Sequence, residues 1–224
     1  REKKRTADRT RSHTERMIAL LGAMRREMNG EVSETMTDRG VSYGLNYGVS
    51  IPSVREIARR ETADHAFAKY LYGQQVRELR LAACHLADPA MVTVDEFSFW
   101  SRGLTTGELA AELAFALMSR IDAIDALVGI WSSESTETTA CCALMAAARS
   151  PKVDCGVALH GAECAVRSFP SSVAVADAAV SVMVSLLGRG VATREMLSET
   201  VSRLPQCPAS ERIADEIAWR TEYM

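Results

Sequence analysis

Apolar residues recur at intervals of three and four through almost the whole chain, and that spacing confines the fold to helices packed on helices. In 105–120, Leu109, Leu113, Ala116 and Leu117 fall on one face while Glu108 and Glu112 fall to its side. The same reading predicts helices over 14–28, 31–39, 53–60, 63–72, 74–87, 93–101, 105–119, 121–131, 135–149, 154–168, 172–187, 192–203 and 209–222. Three starts carry an S/T-x-x-E pattern, Ser53 with Glu56, Thr93 with Glu96 and Thr105 with Glu108, in which the hydroxyl would accept the N3 amide and the carboxylate would reach back. Asp88-Pro89 reads as a cap followed by proline at the first helical position. No strand competes, and the breaks are only a few residues long. Thirteen short helices with short turns and Ala-rich faces predict an all-α chain of antiparallel helix pairs stacked in sequence, an α-solenoid. A compact, non-repetitive helical bundle is the other architecture that fits.

Charge divides the chain. Residues 1–16 carry seven basic side chains against three acidic ones, while the whole chain sums to −3, so 17–224 sum to −7. The expected organisation is a flexible basic tail over 1–16, too polar to order itself, and a single helical domain over 17–224. An acidic body that binds nucleic acid must gather its cations on one face, because affinity for phosphate comes from local neutralisation. The longest apolar stretch, 173–187, is interrupted by Asp177 and serines, and no apolar signal core follows the basic start. These features point to a soluble, cytoplasmic monomer away from the membrane. The six cysteines lie in Ala-rich helical surroundings without a C-x-x-C pair and read as buried free thiols of a reducing compartment.

Most chemical signatures are absent: the Gly-rich dinucleotide and phosphate loops, H-E-x-x-H and G-x-S-x-G do not occur. Cys155, His160 and Cys164 could be imagined as three metal ligands, but no second ligand pair has the required spacing, so no metal is expected. Trp131 and Trp219 read as anchors between helices. The distinctive segment is 24–59, where an amphipathic helix leads into a loop broken by Gly40, Gly44 and Gly48, then into Ile51-Pro52 and a helix carrying Val54, Ile57 and Ala58. Its run GV-x-I-P-x-x-REIAR, formed by Gly48, Val49, Ile51, Pro52, Arg55, Glu56, Ile57 and Ala58, resembles the N-terminal signature of the AlkD-like DNA alkylation repair proteins. The resemblance continues through QQVRELRLAACHLADP (74–89), Trp100 and GELAAEL.

That resemblance implies HEAT-like helical repeats that bind double-stranded DNA and excise N3- or N7-alkylated purines without a cofactor. Family members place tryptophans and an aspartate, in a W-x-x-x-D arrangement, where the carboxylate stabilises a developing oxocarbenium charge and the aromatic faces attract the cationic base. Here the matching tryptophan is Trp100, but Leu104 stands four residues on. Glu96, four residues before Trp100, shares its helical face, with Asp95 beside it. The catalytic role implied by the resemblance therefore falls on Glu96, Trp100 and Asp95. Arg102, Arg120, Arg149 and Lys152 are the candidate phosphate contacts, and each also suits a helix end on macrodipole grounds. Arg55 and Arg59, four apart, form a further basic face. Because the aspartate is missing, a non-catalytic HEAT-repeat scaffold that binds DNA or a protein partner is the alternative function.

Overall fold

In the computed structural model, residues 12–38, 43–133 and 136–222 are described, with the side chains of 37 and 38 left aside. Thirteen α-helices account for them: α1 His13–Arg26, α2 Gly30–Asp38, α3 Ile51–Arg59, α4 His65–Tyr72, α5 Arg77–Leu86, α6 Phe97–Arg102, α7 Gly107–Ala116, α8 Ile124–Trp131, α9 Glu137–Arg149, α10 Cys155–Ser168, α11 Val173–Gly188, α12 Arg194–Arg203 and α13 Pro208–Glu222. Three 3-10 turns join them, Pro89–Met91, Val94–Glu96 and Met118–Arg120. Among the described residues the only β-type pairing is the isolated bridge between Leu45 and Val76. The all-α expectation and its helix positions hold. No helix among these residues is long and apolar enough to cross a membrane.

The helix starts move where a better acceptor lies nearby. α3 is capped by Ser50, whose Oγ accepts the Ser53 N–H at 3.2 Å, so Ser53 is an acceptor's partner rather than the cap. Pro52 fits inside this first turn because that position needs no intrahelical N–H donor. At α7 the buried Thr106, not Thr105, caps the Leu109 N–H at 3.2 Å. Thr93 makes no side-chain cap at all, because the chain there enters α6 through a 3-10 turn. Asp88 does cap, accepting the Ala90 N–H at 3.0 Å, but over the 3-10 turn Pro89–Met91.

The chain divides into two compact units, Arg1–Met91 and Val92–Met224. In the first, α5 packs on α3 and α4, and α1 packs on the same two helices. The tail residues 1–11 lie outside the described residues, but Ser12 to Arg16 form a capped helix start. Ser12 Oγ accepts the Glu15 N–H, and the Glu15 carboxylate accepts the Ser12 N–H in return. Arg16, counted with the basic tail from sequence, is buried instead. It donates to Asp64 Oδ2 at 2.7 Å and to the Thr62 carbonyl at 3.1 Å, with its guanidinium 3.8 Å from the centre of the Phe67 ring.

Gly40 lies outside the described residues, and the described part of the glycine-broken loop, 43–50, docks on the start of α5. Leu45 and Arg77 pair through their backbones, and the fully buried Glu78 carboxylate accepts the Tyr47 and Val49 N–H groups at 3.2 Å and the Arg77 guanidinium at 3.0 Å. Arg77 Nη1 also donates to the Val49 carbonyl at 2.7 Å. Gly48 is obligatory here: its φ is +68°, and a Cβ would come within 2.0 Å of the Asn29 carbonyl oxygen. Within the distinctive segment, residues 43–50 are thus held in place by a buried ion pair.

The second unit has two layers. α7, α9, α11 and α13 pack side by side in one, and α8, α10 and α12 in the other, with contacts between the layers from α9 to α8 and α10, from α10 to α11 and from α12 to α13. The short helices are closed at their last turns in a recurring way. Arg120, Arg149 and Arg189 each donate to the carbonyl four residues earlier, Ala116, Met145 and Ser185. Adjacent turns are then stitched together by Lys152 to the Arg120 carbonyl and by Arg189 to the Ser150 carbonyl.

Two stability outcomes follow from the first unit. Glu78→Ala leaves Arg77 and two backbone N–H groups buried without their acceptor and should cost about 3–5 kcal/mol in denaturant unfolding. For Asp64, burial works to raise the pKa, but the Phe67 N–H, Arg16 and His13 together hold it below its ordinary 3.8. Its stabilising contribution is complete above that value and disappears as pH falls through the lower folded pKa. Asp64→Asn should therefore flatten the stability profile below pH 3.8 relative to the parent.

Candidate functional site

Trp100 lies on α6 with its side chain fully buried. Phe99 meets it edge-on at 5.3 Å between ring centres, and its indole Nε1 donates to Glu96 Oε2 at 3.3 Å. Sequence spacing brings Glu96 and Trp100 together as expected, but the indole is turned inward while Glu96 stays half-buried. A ring that stacks on a base needs an open face, and 0% exposure leaves Trp100 none. Asp95 is exposed in the 3-10 turn before α6.

The candidate cations are all exposed. Arg102 ends α6. Arg120, Arg149 and Lys152 come together at the edge where the first-layer helices end, but each is already engaged: the arginines bond last-turn carbonyls, and Lys152 Nζ lies 2.5 Å from Asp122 Oδ1. Sequence reasoning missed Arg189, which extends this row through its bond to the next turn. Its signal was available in the repeated occurrence of a basic residue where each first-layer helix stops. Trp131 is fully buried, with Phe97 edge-on at 6.0 Å. Trp219, expected as an anchor, is 62% exposed on α13, because Ile213 and Ile217 turn towards the core and leave it on the outer side.

An open groove of about 510 Å³ runs between α8 and α10. Asp125 and Asp154 stand at one end, with Asp125 Oδ1 accepting the Asp154 N–H at 2.8 Å. His160 and Cys164 lie along the α10 wall, 3.5 Å apart between Nε2 and Sγ, and Ser132 belongs to the α8 wall. Gly161 lets the two helices meet here, since a Cβ on it would come within 2.5 Å of Val128. No set of three His, Cys, Asp or Glu side chains among the described residues could hold a metal ion, so Cys155 does not complete a site with His160 and Cys164.

Cys84, Cys141, Cys142 and Cys207 are buried as expected, whereas Cys155 and Cys164 are partly exposed. Burial, and then the neighbouring Glu137, pushes the Cys141 thiol up to about 12, and burial raises Cys142 as well. Burial followed by the charge of Asp154 also raises Cys155. These thiols are protonated and unreactive at neutral pH. Because Trp100 fills core volume, Trp100→Ala should cost about 3–5 kcal/mol of stability. Glu96→Gln, which keeps an acceptor for the indole, should cost less than about 1 kcal/mol in the same unfolding assay.

No protein-family model and no curated protein matches the chain. Among solved structures, one matches with a TM-score of 0.66 at 13% identity, covering 90% of this chain and 94% of its own. It is described as belonging to a new family of proteins related to the HEAT-like repeat DNA glycosylases with affinity for branched DNA structures. The two chains share the all-α, HEAT-like repeat fold over nearly their whole lengths, which is the α-solenoid class expected from the helix pattern.

Proposed function

We propose that this protein binds DNA as a HEAT-like scaffold, and that it belongs with the glycosylase-related proteins of this fold without depending on their excision chemistry. The observation that carries the reading is the near full-length likeness to a protein with affinity for branched DNA, at a site where the expected tryptophan is sealed in the core. Arg102, Arg120, Arg149 and Lys152 are the phosphate contacts we propose, joined by Arg189. A guanidinium has five N–H donors, so one bond to a helix-end carbonyl leaves it able to serve a phosphate as well. Engagement at the helix ends also holds these side chains in place, which lowers the entropy lost on binding.

Excision of N3- or N7-alkylated purines is the second reading. Asp125 favours it: this exposed carboxylate lines an open groove, where a sugar–base bond could approach it, whereas Glu96 is committed to the indole. Such a carboxylate would stabilise positive charge developing on the sugar.

Binding to a four-way junction and to plain duplex, each followed over a salt series, tests the first reading. Log affinity should fall linearly with log salt for the parent, and Arg120→Gln with Arg149→Gln should lower that slope by about two in B-form duplex. Salt-independent or absent binding overturns the DNA reading. For the second, release of 3-methyladenine and 7-methylguanine is followed at saturating DNA. The scaffold reading expects none. Release that disappears in Asp125→Asn but survives in Glu96→Gln would establish excision from the groove.

A further inference from the structure

The groove between α8 and α10 contains an anomaly that the fold alone does not explain. Gly129 lies inside α8, where glycine weakens a helix relative to alanine. Yet its φ is not positive, and a Cβ added there would meet nothing within 4 Å. Gly156, opposite on α10, would meet only the Asp154 carboxylate, at 3.2 Å. Both glycines are exposed and line the groove, so neither is required by helix packing, in contrast to Gly161. What they do is keep the walls flat and the space open.

A second observation lies on the α8 wall. Ser132 lines the groove at 1% exposure, and its Oγ is buried without any hydrogen-bond partner. A buried hydroxyl left unpaired is unfavourable, and one that lines a groove can recover a hydrogen bond from a polar group entering it. The same groove is lined by an imidazole, His160, and at its other end by two exposed carboxylates, Asp125 and Asp154. Flat walls suit a planar ring. A hydroxyl and an imidazole can each donate or accept towards ring nitrogens, and carboxylates accept from exocyclic amino groups.

We propose that the α8–α10 groove receives a single unpaired, amino-bearing nucleobase of bound DNA. This rests on the DNA-binding reading and deepens it: bases left unpaired at a distortion or branch become the feature recognised, while the cationic row holds the backbone. Ser132 Oγ, which has no partner within the protein, hydrogen-bonds the base, His160 bonds the ring edge, and the Gly129 and Gly156 surfaces admit the ring plane. An unpaired base enters at little cost because it has already left its stack.

The test uses the full chain and two DNA probes carrying the fluorescent adenine analogue 2-aminopurine, one with it in a single-base bulge and one with it paired in duplex. Parent protein should bind the bulged probe more tightly and change its emission, with little change in the paired probe. Gly129→Leu, which fills the groove from a position with open space, and Ser132→Ala, which removes an unpaired hydroxyl, should both fold with undiminished melting temperature. Each should lower the preference for the bulged probe about five- to tenfold while leaving duplex affinity as in the parent. Equal preference in parent and variants, or no preference in the parent, overturns the groove proposal and leaves salt-dependent duplex binding standing. Failure of the parent to bind either probe overturns both readings. Gly129→Ala, expected to melt at or above the parent temperature, separates loss of the groove from loss of the helix.

Discussion

Short helices create a polar problem, and the structure is organised around solving it. Every α-helix leaves its first four N–H and last four C=O groups without partners inside the helix. With helices of six to sixteen residues, such end groups form a large share of this backbone. Side-chain caps meet the N-terminal half of the demand, through Ser12, Ser50, Asp64, Thr106, Thr136, Asp154, Ser172 and Thr193. Arginines meet part of the C-terminal half in the second unit, and in the first the buried Glu78 takes up the Tyr47 and Val49 N–H groups of the loop before α3.

This constraint bears directly on function. The row of Arg120, Arg149, Lys152 and Arg189 exists because first-layer helices end side by side, and each cation satisfies a carbonyl before it meets anything else. The phosphate contacts we propose thus fall on side chains that already have this structural role. The groove between α8 and α10 is the converse case, where polar atoms and open glycines remain after the packing demands have been met.

Much of this was legible in sequence because helical periodicity is local. All thirteen helices lie near their expected positions, and the Glu96–Trp100 pairing follows from a spacing of four on one face. What sequence left open were choices between adjacent candidates. Thr105 and Thr106 are equally good caps in one dimension, and only the placement of Thr106 against its surroundings selected it. Arg16 reads as one more tail cation, but the ring of Phe67 and the carboxylate of Asp64, both remote in the chain, gave it a buried site. Trp219 read as an anchor until Ile213 and Ile217 took the core-facing positions of α13.

By itself, then, the sequence determined the helices and their approximate ends, since these depend on residue spacing within one or two turns, and it left stacked pairs and a compact bundle both open. Tertiary structure decided which way the chemistry faces. It turned Trp100 inward, aligned cations from separate turns into one edge, and opened a groove beside Ser132 and Gly129. The physical reason is that exposure and hydrogen-bond satisfaction are properties of neighbours, and those neighbours stand tens of residues away in the chain.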